Sequence, residues 1–304
     1  MARVRDAWVL VAGNTVLDVL VHRAELECGP AQDRWGSNVQ LLDTPLTPVL
    51  GGCGAATSYV VGRLGHPVRL VTNIGVDPWA VLVREWLRQA GVKVMRSGTR
   101  DTAVNVILLS PDGRRRSVYY AGSKVDWEAQ WPGPAPSWLA AAGYAAVDEG
   151  DLACLERAFA TARRRGARVF FDPGPWFRGR VHAEGMRALW AGVDCLSGTQ
   201  EELGYWLGGE EGEELARAAL ACGPSCAVVK RGARGAAYAA AEGYGCVLAE
   251  PLERGNSTGA GDAFNGRLLW GLAWGEALAA AVAAAVELAT GVVRRGRGVL
   301  GAFG

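Results

Sequence analysis

Apolar residues recur along this chain in two patterns, one typical of buried strands and one typical of amphipathic helices. The unbroken apolar run at residues 8–12 ends at Gly13-Asn14 and predicts a strand that is covered on both faces. Helical spacing follows further on, closed by Gly91, at Trp79, Leu82, Val83, Trp86, Leu87 and Ala90. Buried strands next to amphipathic helices predict an α/β fold.

After Gly143 the pattern alternates regularly between strands and helices. Strands are predicted at residues 144–147, 169–172, 194–197 and 226–230. Helices are predicted between them at residues 151–165, with Asp151 as the N-cap, and at 183–191 and 213–222. This alternation predicts a mostly parallel sheet with helices on both faces, and ligands of such sheets bind at the carboxyl ends of the strands.

Two further stretches are rich in β signals and predict a smaller, separate sheet. Residues 16–50 form short alternating pieces that predict an antiparallel excursion. Residues 104–120 predict a hairpin with a turn at Pro111-Asp112-Gly113. We expect one domain over residues 1–304, with these stretches forming a lid at about residues 19–50 and 100–124.

Composition and charge exclude several classes of protein. The chain has 32 Lys and Arg against 31 Asp and Glu, so it lacks the basic field of a nucleic-acid binder. Its seven cysteines are scattered, which favours reduced thiols in a cytoplasmic protein, and its three histidines make a tetrahedral metal site improbable. We expect no signal peptide and no membrane partner, because the most apolar stretch, residues 277–293, is too short to span a bilayer.

A glycine-rich turn runs directly into a helical pattern at residues 256–264. The backbone N–H groups of Gly259, Ala260 and Gly261 and the positive end of the helix dipole predict an anion site there. Asp262 lies in the first turn, where its charge would repel a phosphate, so a functional role requires a reason such as accepting a proton from an attacking hydroxyl. The alternative is that Asp262 only complements the helix dipole.

Separated motifs in the chain together resemble those of the ribokinase-like, or PfkB, family of carbohydrate kinases. They lie in the family's order at residues 13–18, 51–65, 230–235 and 257–264, and the last is the most specific. The resemblance implies a ribokinase-like fold with a central, mostly parallel sheet and a small β-sheet lid. It also implies ATP and Mg²⁺ as co-substrates and phosphorylation of a hydroxyl group on a sugar or sugar-like molecule.

The resemblance also implies roles for individual residues. Asp262 would be the catalytic base, and Gly259, Ala260 and Gly261 would form the anion hole. Substrate would be bound by Asn14, by Asp18 and at the lid hinge Gly51-Gly52; the nucleotide side would hold Lys230, Gly232, Gly235 and Thr199; and Glu202 would help to position Mg²⁺. Each of two residues has a structural alternative to its role. Asp18 would then be a turn acid after a strand, and Glu202 would be an ordinary exposed helix residue.

Some positions depart from the family pattern. The family commonly has Asn where Ala56 and Thr199 stand. It commonly has Asp-Thr where Asn256-Ser257 stands, and this change puts a monovalent-cation site behind the anion hole in doubt. A methyl group at Ala56 offers no hydrogen bond to a sugar hydroxyl. We therefore expect a substrate with fewer polar groups facing Gly51-Gly52 than ribose or fructose presents, such as a nucleoside, a deoxygenated or keto-acid sugar, or a cyclitol.

Missing motifs exclude two rival functions, and two others stay open. The chain lacks the Gly-x-Gly-x-x-Gly turn of a dinucleotide-dependent oxidoreductase. It also lacks the Gly-x-x-x-x-Gly-Lys-Ser/Thr motif of a Walker-type NTPase. A nucleoside kinase of the same fold and a non-catalytic metabolite-binding protein remain as alternatives. We also expect a homodimer through the lid, because a thin sheet cannot bury all of its apolar residues, namely Val39, Leu41, Val106, Leu108 and Tyr119.

Overall fold

The computed structural model describes residues 7–24, 40–96, 101–111, 114–128, 133–209 and 211–303. Parts of the predicted lid, Val39 among them, and the Asp112-Gly113 turn lie outside the described residues. No helix in the described part of the chain is long and apolar enough to cross a membrane.

Strands and helices alternate along most of the chain. The strands are β1 (Val9–Ala12), β2 (Val16–His22), β3 (Thr47–Gly51), β4 (Val68–Val71), β5 (Lys93–Arg96), β6 (Ala103–Leu109), β7 (Arg115–Tyr120), β8 (Trp138–Ala142), β9 (Arg168–Asp172), β10 (Cys195–Thr199), β11 (Cys226–Lys230), β12 (Ala236–Ala240) and β13 (Gly243–Val247). The helices are α1 (Cys53–Arg63), α2 (Pro78–Gln89), α3 (Glu149–Arg164), α4 (Ala183–Trp190), α5 (Gln200–Leu207), α6 (Gly212–Ala221), α7 (Ala260–Trp274) and α8 (Leu278–Arg295).

A nine-stranded sheet in the order β13-β12-β11-β10-β9-β8-β1-β4-β5 forms the centre of the molecule. All neighbouring strands from β11 through to β5 are parallel, and β12 and β13 add an antiparallel edge. Successive strand residues enter opposite apolar clusters, so that Leu10 packs with α3 to α6 and Val11 packs with α1, α2, α7 and α8. The predicted α/β fold with helices on both faces is confirmed.

The two β-rich insertions combine into one small sheet in the order β3-β2-β6-β7. Its outer pairs are antiparallel as predicted, whereas the central pair β2–β6 is parallel. Leu20, Val49 and Ile107 bury one face of this sheet. The separate small sheet that the family resemblance implied is therefore present.

Two local predictions were wrong around α3. The predicted strand at residues 144–147 is a turn, and the strand lies earlier, at β8. Tyr144 is buried because its hydroxyl accepts the N–H of Val125 at 2.5 Å, which holds it beneath a loop and out of the sheet. The N-cap of α3 is Asp148, while Asp151 lies in the first turn and accepts the N–H of Asp148, which completes a capping box.

Three strands were not predicted: β5, β12 and β13. The segments of β12 and β13 consist largely of alanine, glycine and tyrosine, and alanine and glycine have low intrinsic strand preference. The pairing of β12 with β11 and of β13 with β12 supplies hydrogen bonds that the local sequence does not signal. Conversely, Trp79 was predicted on the buried face of α2 but is 52% exposed.

Candidate active site

The glycine-rich turn leads into α7 as the spacing predicted. Gly259 is the N-cap and has φ of 78°, a left-handed conformation that a side chain disfavours. Ala260 donates its N–H to Ser257 O at 3.1 Å within the turn. Among the described residues none accepts a hydrogen bond from the N–H groups of Gly259, Gly261 or Asp262. The start of α7 therefore presents unpaired donors, as an anion site requires.

Asp262 lies beside these donors in an environment that favours its neutral form. Burial raises the pKa of its carboxyl to about 7, and the charges of Asp172, Asp18 and Glu202 act in the same direction, against the ammonium of Lys230. None of the described residues donates a hydrogen bond to this carboxylate. A carboxylate with a pKa near neutrality and no fixed partner suits proton acceptance.

A buried polar network links α7 to the carboxyl ends of three strands. Lys230 Nζ and Asn265 Nδ2 both donate to Asp172 Oδ2 at 2.6 Å, and Ser197 Oγ donates to Asn265 Oδ1 at 2.9 Å. Burial alone would lower the pKa of Lys230, but the nearby carboxylates of Asp172 and Glu202 outweigh it and raise the pKa. The network therefore holds a charged ammonium group close to the start of α7.

An open cleft with an empty volume of about 420 Å³ lies between α7, α8 and the β11–β12 turn. Its wall includes Lys230, Gly232, Gly235, Ala260 and Gly261, so it combines residues predicted for the nucleotide with residues of the anion turn. A β-carbon on Gly235 would lie 1.9 Å from Val247 O, which explains the glycine. The rest of the wall is mostly apolar and comprises Ala249, Phe264, Val286, Ala289 and Thr290.

Thr199 and Glu202 form the capping box of α5. Glu202 Oε2 accepts the N–H of Thr199 at 2.7 Å, and Thr199 Oγ1 accepts the N–H of Glu202 at 3.2 Å. These bonds use only one carboxylate oxygen. Burial raises the pKa of Glu202 and the charge of Asp172 raises it further, which places both carboxylates in one electrostatic cluster.

Asp18 projects from β2 toward the Gly51-Gly52 turn. A β-carbon on Gly51 would lie 2.1 Å from Asp18 Oδ2, so only glycine leaves room for this carboxylate. Asn105 Nδ2 donates to Asp18 Oδ1 at 3.0 Å. Burial raises the pKa of Asp18 to about 6, although the Asn105 hydrogen bond and the charge of Arg115 oppose it.

Asn14 joins the large sheet, α1 and the small sheet. Its Oδ1 accepts the N–H of Cys53 at 3.0 Å, and its Nδ2 donates to the hydroxyl of Tyr119 at 3.1 Å. Gly52 has φ of 84°, and a β-carbon there would lie 2.5 Å from Asn14 O. The predicted hinge glycine is thus required by backbone conformation and by space.

The structure brings the predicted substrate, anion and nucleotide residues to one edge of the large sheet. Its contacts add Asn105 and Asn265, which were not predicted as site residues, and Asp172, which was predicted only to lie at the ligand-binding end of a strand. A usable signal existed for two of them, since Asn105 interrupts an apolar strand and Asn265 lies one helical turn after Asp262 in an apolar helix. Ala56, by contrast, is fully buried in the apolar cluster beneath α1 and presents no surface in this conformation.

Comparison with known proteins shows the family to which this chain belongs. The model of the pfkB family of carbohydrate kinases matches residues 29–300, and the chain belongs to this family. A fructokinase from Klebsiella pneumoniae is 28% identical over 235 residues, which cover 73% of this chain and 76% of the relative.

Solved structures show the same fold. Ribokinase from Cryptococcus neoformans, solved with ADP, superposes with a TM-score of 0.71 at 22% identity, covering 97% of this chain and 96% of its own. A structure from E. coli that contains ATP and Mg²⁺ superposes with a TM-score of 0.75 at 18% identity, covering 98% of this chain and 96% of its own. The fold is therefore ribokinase-like.

Proposed function

We propose that this protein transfers the terminal phosphoryl group of ATP to a hydroxyl group of a sugar or sugar-like molecule. The observation that carries the proposal is Asp262, a carboxylate with a pKa of about 7 placed beside unpaired backbone donors at the start of α7. A base with that pKa can accept the hydroxyl proton at neutral pH, while the donors bind the phosphoryl oxygens.

The remaining residues fit roles around this reaction. Asp18 accepts hydrogen bonds from sugar hydroxyls, and Asn14 orients the turn at Gly51 and Gly52. The anion hole is formed by the N–H groups of Gly259 and Gly261 together with that of Asp262, since the N–H of Ala260 is used inside the turn. Lys230 neutralises phosphate charge from the wall that it shares with Gly232 and Gly235.

The residues at the nucleotide side also fit a magnesium ion. No group of three or more His, Cys, Asp or Glu that could hold a metal occurs among the described residues. Mg²⁺ in such kinases needs only one or two carboxylates, since phosphates and water supply its other ligands. Glu202 would position the ion through its second carboxylate oxygen, and the ion would neutralise charge on the phosphates.

The small sheet is proposed to be the lid of a single domain that covers residues 1–304. The hydrogen bond from Asn14 to Tyr119 connects it to the large sheet, and β3 leads through Gly52 into α1. Closing over the site would exclude water, so that ATP is not hydrolysed.

The proposal is tested by coupled ATP turnover with ribose, fructose, 2-keto-3-deoxygluconate, adenosine and inositol, for the native protein and Ala56→Asn. Sequence reasoning predicts a preference for one of the less polar substrates and a changed ranking in Ala56→Asn. The fructokinase relative supports fructose instead, and the burial of Ala56 means that only a larger side chain reaches the substrate. If the ranking of the substrates is the same in Ala56→Asn and in the native protein, Ala56 does not determine specificity.

Two outcomes of this panel discriminate the alternatives. Turnover with adenosine alone would support the nucleoside kinase. Saturable binding of a panel compound without any ATP turnover would support the metabolite-binding protein and refute the kinase.

We expect kcat/KM to fall as the pH falls, because both site carboxylates have to be ionised. The pKa of Asp262 is about 7 and that of Asp18 about 6, both raised above the ordinary value. A base loses activity as it is protonated, so log kcat/KM should decline with a slope of about one below pH 7 and about two below pH 6. A pH-rate profile measures this; a flat profile down to pH 5 would contradict the assignment, and Asp18→Asn should remove the lower break.

We also propose that the protein is a homodimer through the lid. Leu41 is 89% exposed and Val118 is 61% exposed, while Val106 pairs with Val118 on the same outer face. Tyr119, which was predicted on this face, instead points to Asn14. Sedimentation velocity at micromolar concentration should show a dimer, and Val118→Asp should shift it to monomer; native protein that sediments only as a monomer would count against the interface.

A further inference from the structure

Asn105 carries a side-chain oxygen that the protein leaves without a donor. Its Oδ1 is buried, and among the described residues none donates a hydrogen bond to it. The other end of the amide is occupied, since Nδ2 donates to Asp18 Oδ1 at 3.0 Å. An ionised carboxylate only accepts hydrogen bonds, so this bond determines which end of the amide faces Asp18.

The register of Asn105 places its side chain on the same face of the small sheet as Asp18. Asn105 is the register partner of Asp18 on β2 and of Tyr119 on β7, so the three residues lie in one row on one face. Tyr119 in this row accepts a hydrogen bond from Asn14 in the β1–β2 connection, so this face is the one that carries the predicted substrate residues Asn14 and Asp18. Val106, the next residue, lies on the opposite face.

We infer that Asn105 determines substrate specificity by accepting a hydrogen bond from a sugar hydroxyl adjacent to the one that Asp18 binds. This inference rests on the proposed function. A buried acceptor without a donor is costly, and a substrate hydroxyl inside the closed lid would supply the missing donor. The preferred substrates are therefore polyols with hydroxyls on two adjacent carbons facing the small sheet.

The same geometry defines what the site disfavours. Asp18 and Asn105 together offer only acceptors to the substrate, because the amide N–H of Asn105 is already used by Asp18. A ketone or carboxylate in this position offers no donor, and a carboxylate is also repelled by the charge of Asp18. A keto-acid sugar is thus disfavoured unless its acid group points away from the small sheet.

The test compares kcat/KM for D-fructose and D-ribose with their monodeoxy analogues, in the native protein, Asn105→Leu and Val106→Thr. In the native protein, loss of one particular hydroxyl should lower kcat/KM by about 10- to 100-fold. In Asn105→Leu that ratio should fall to near one, while the ratios at the other hydroxyls remain. Val106→Thr, the matched control on the same strand, should keep every native ratio.

Other outcomes distinguish a failure of this inference from a failure of the proposed function. If Asn105→Leu keeps all native ratios, or lowers all of them equally, Asn105 does not bind one particular hydroxyl. The inference is then refuted, whereas the proposed kinase function is not. If the native protein phosphorylates no compound of the full panel, the proposed function fails and the inference falls with it. Asn105→Ala, which removes the same oxygen with a smaller side chain, should also bring that ratio to near one and serves if Asn105→Leu does not fold by circular dichroism.

Discussion

Asp262→Asn is expected to lower kcat by about 10²- to 10⁴-fold while the binding of ATP persists. The substitution keeps the shape of the side chain but removes its ability to accept a proton. It also removes a negative charge beside Lys230 and the unpaired donors of α7, so nucleotide affinity should stay equal or increase. Steady-state kinetics with the best substrate and calorimetric titration of ATP measure the two effects separately.

Asp172→Asn is the matched control for charge. This change also removes a carboxylate whose charge raises the pKa of Asp262, but it leaves the base itself in place. It should therefore shift the acid limb of the pH profile to lower pH and retain more turnover than Asp262→Asn. Near-native kcat in Asp262→Asn would show that another group accepts the proton.

Gly261→Val is expected to abolish activity while the protein stays folded. A β-carbon on Gly261 would meet nothing closer than Lys230 Nζ at 3.9 Å, and the residue lies inside α7 with an ordinary helical φ. The backbone is therefore not strained by a side chain here, and the space that the side chain fills is the place of the phosphate. Thermal unfolding and coupled turnover, measured on the same preparation, test both halves of the prediction.

Gly259→Ala provides the contrast. With φ of 78° and a β-carbon only 3.0 Å from Val299 N, alanine at this position strains the turn itself. Its unfolding midpoint should drop, whereas Gly261→Ala should unfold at or above the native temperature because alanine favours helices. An active Gly261→Val variant would mean that phosphate does not bind at this turn.

Structural features that depend only on contiguous residues were predictable from the sequence. The turn at residues 256–264 depends on a backbone conformation that only a few residue types allow, so its spacing located it, and the family resemblance located the Gly51-Gly52 turn. The Asp172 network was not predictable, because Asn265 lies 93 residues from Asp172 and 68 residues from Ser197 along the chain. The strands β12 and β13 were missed for a related reason, since the pairing of β12 with β11 and of β13 with β12 outweighs their weak local preference.

The hydrogen bond between Asn14, in the β1–β2 connection, and Tyr119 of β7 connects the small sheet to the end of β1. On the proposed function, each catalytic cycle has to break this bond once to admit the sugar and once more to release the product. A stronger hydrogen bond at this place lengthens the residence time of the product. It also shortens the interval in which water can reach bound ATP. This single hydrogen bond therefore slows turnover and, at the same time, reduces the loss of ATP by hydrolysis.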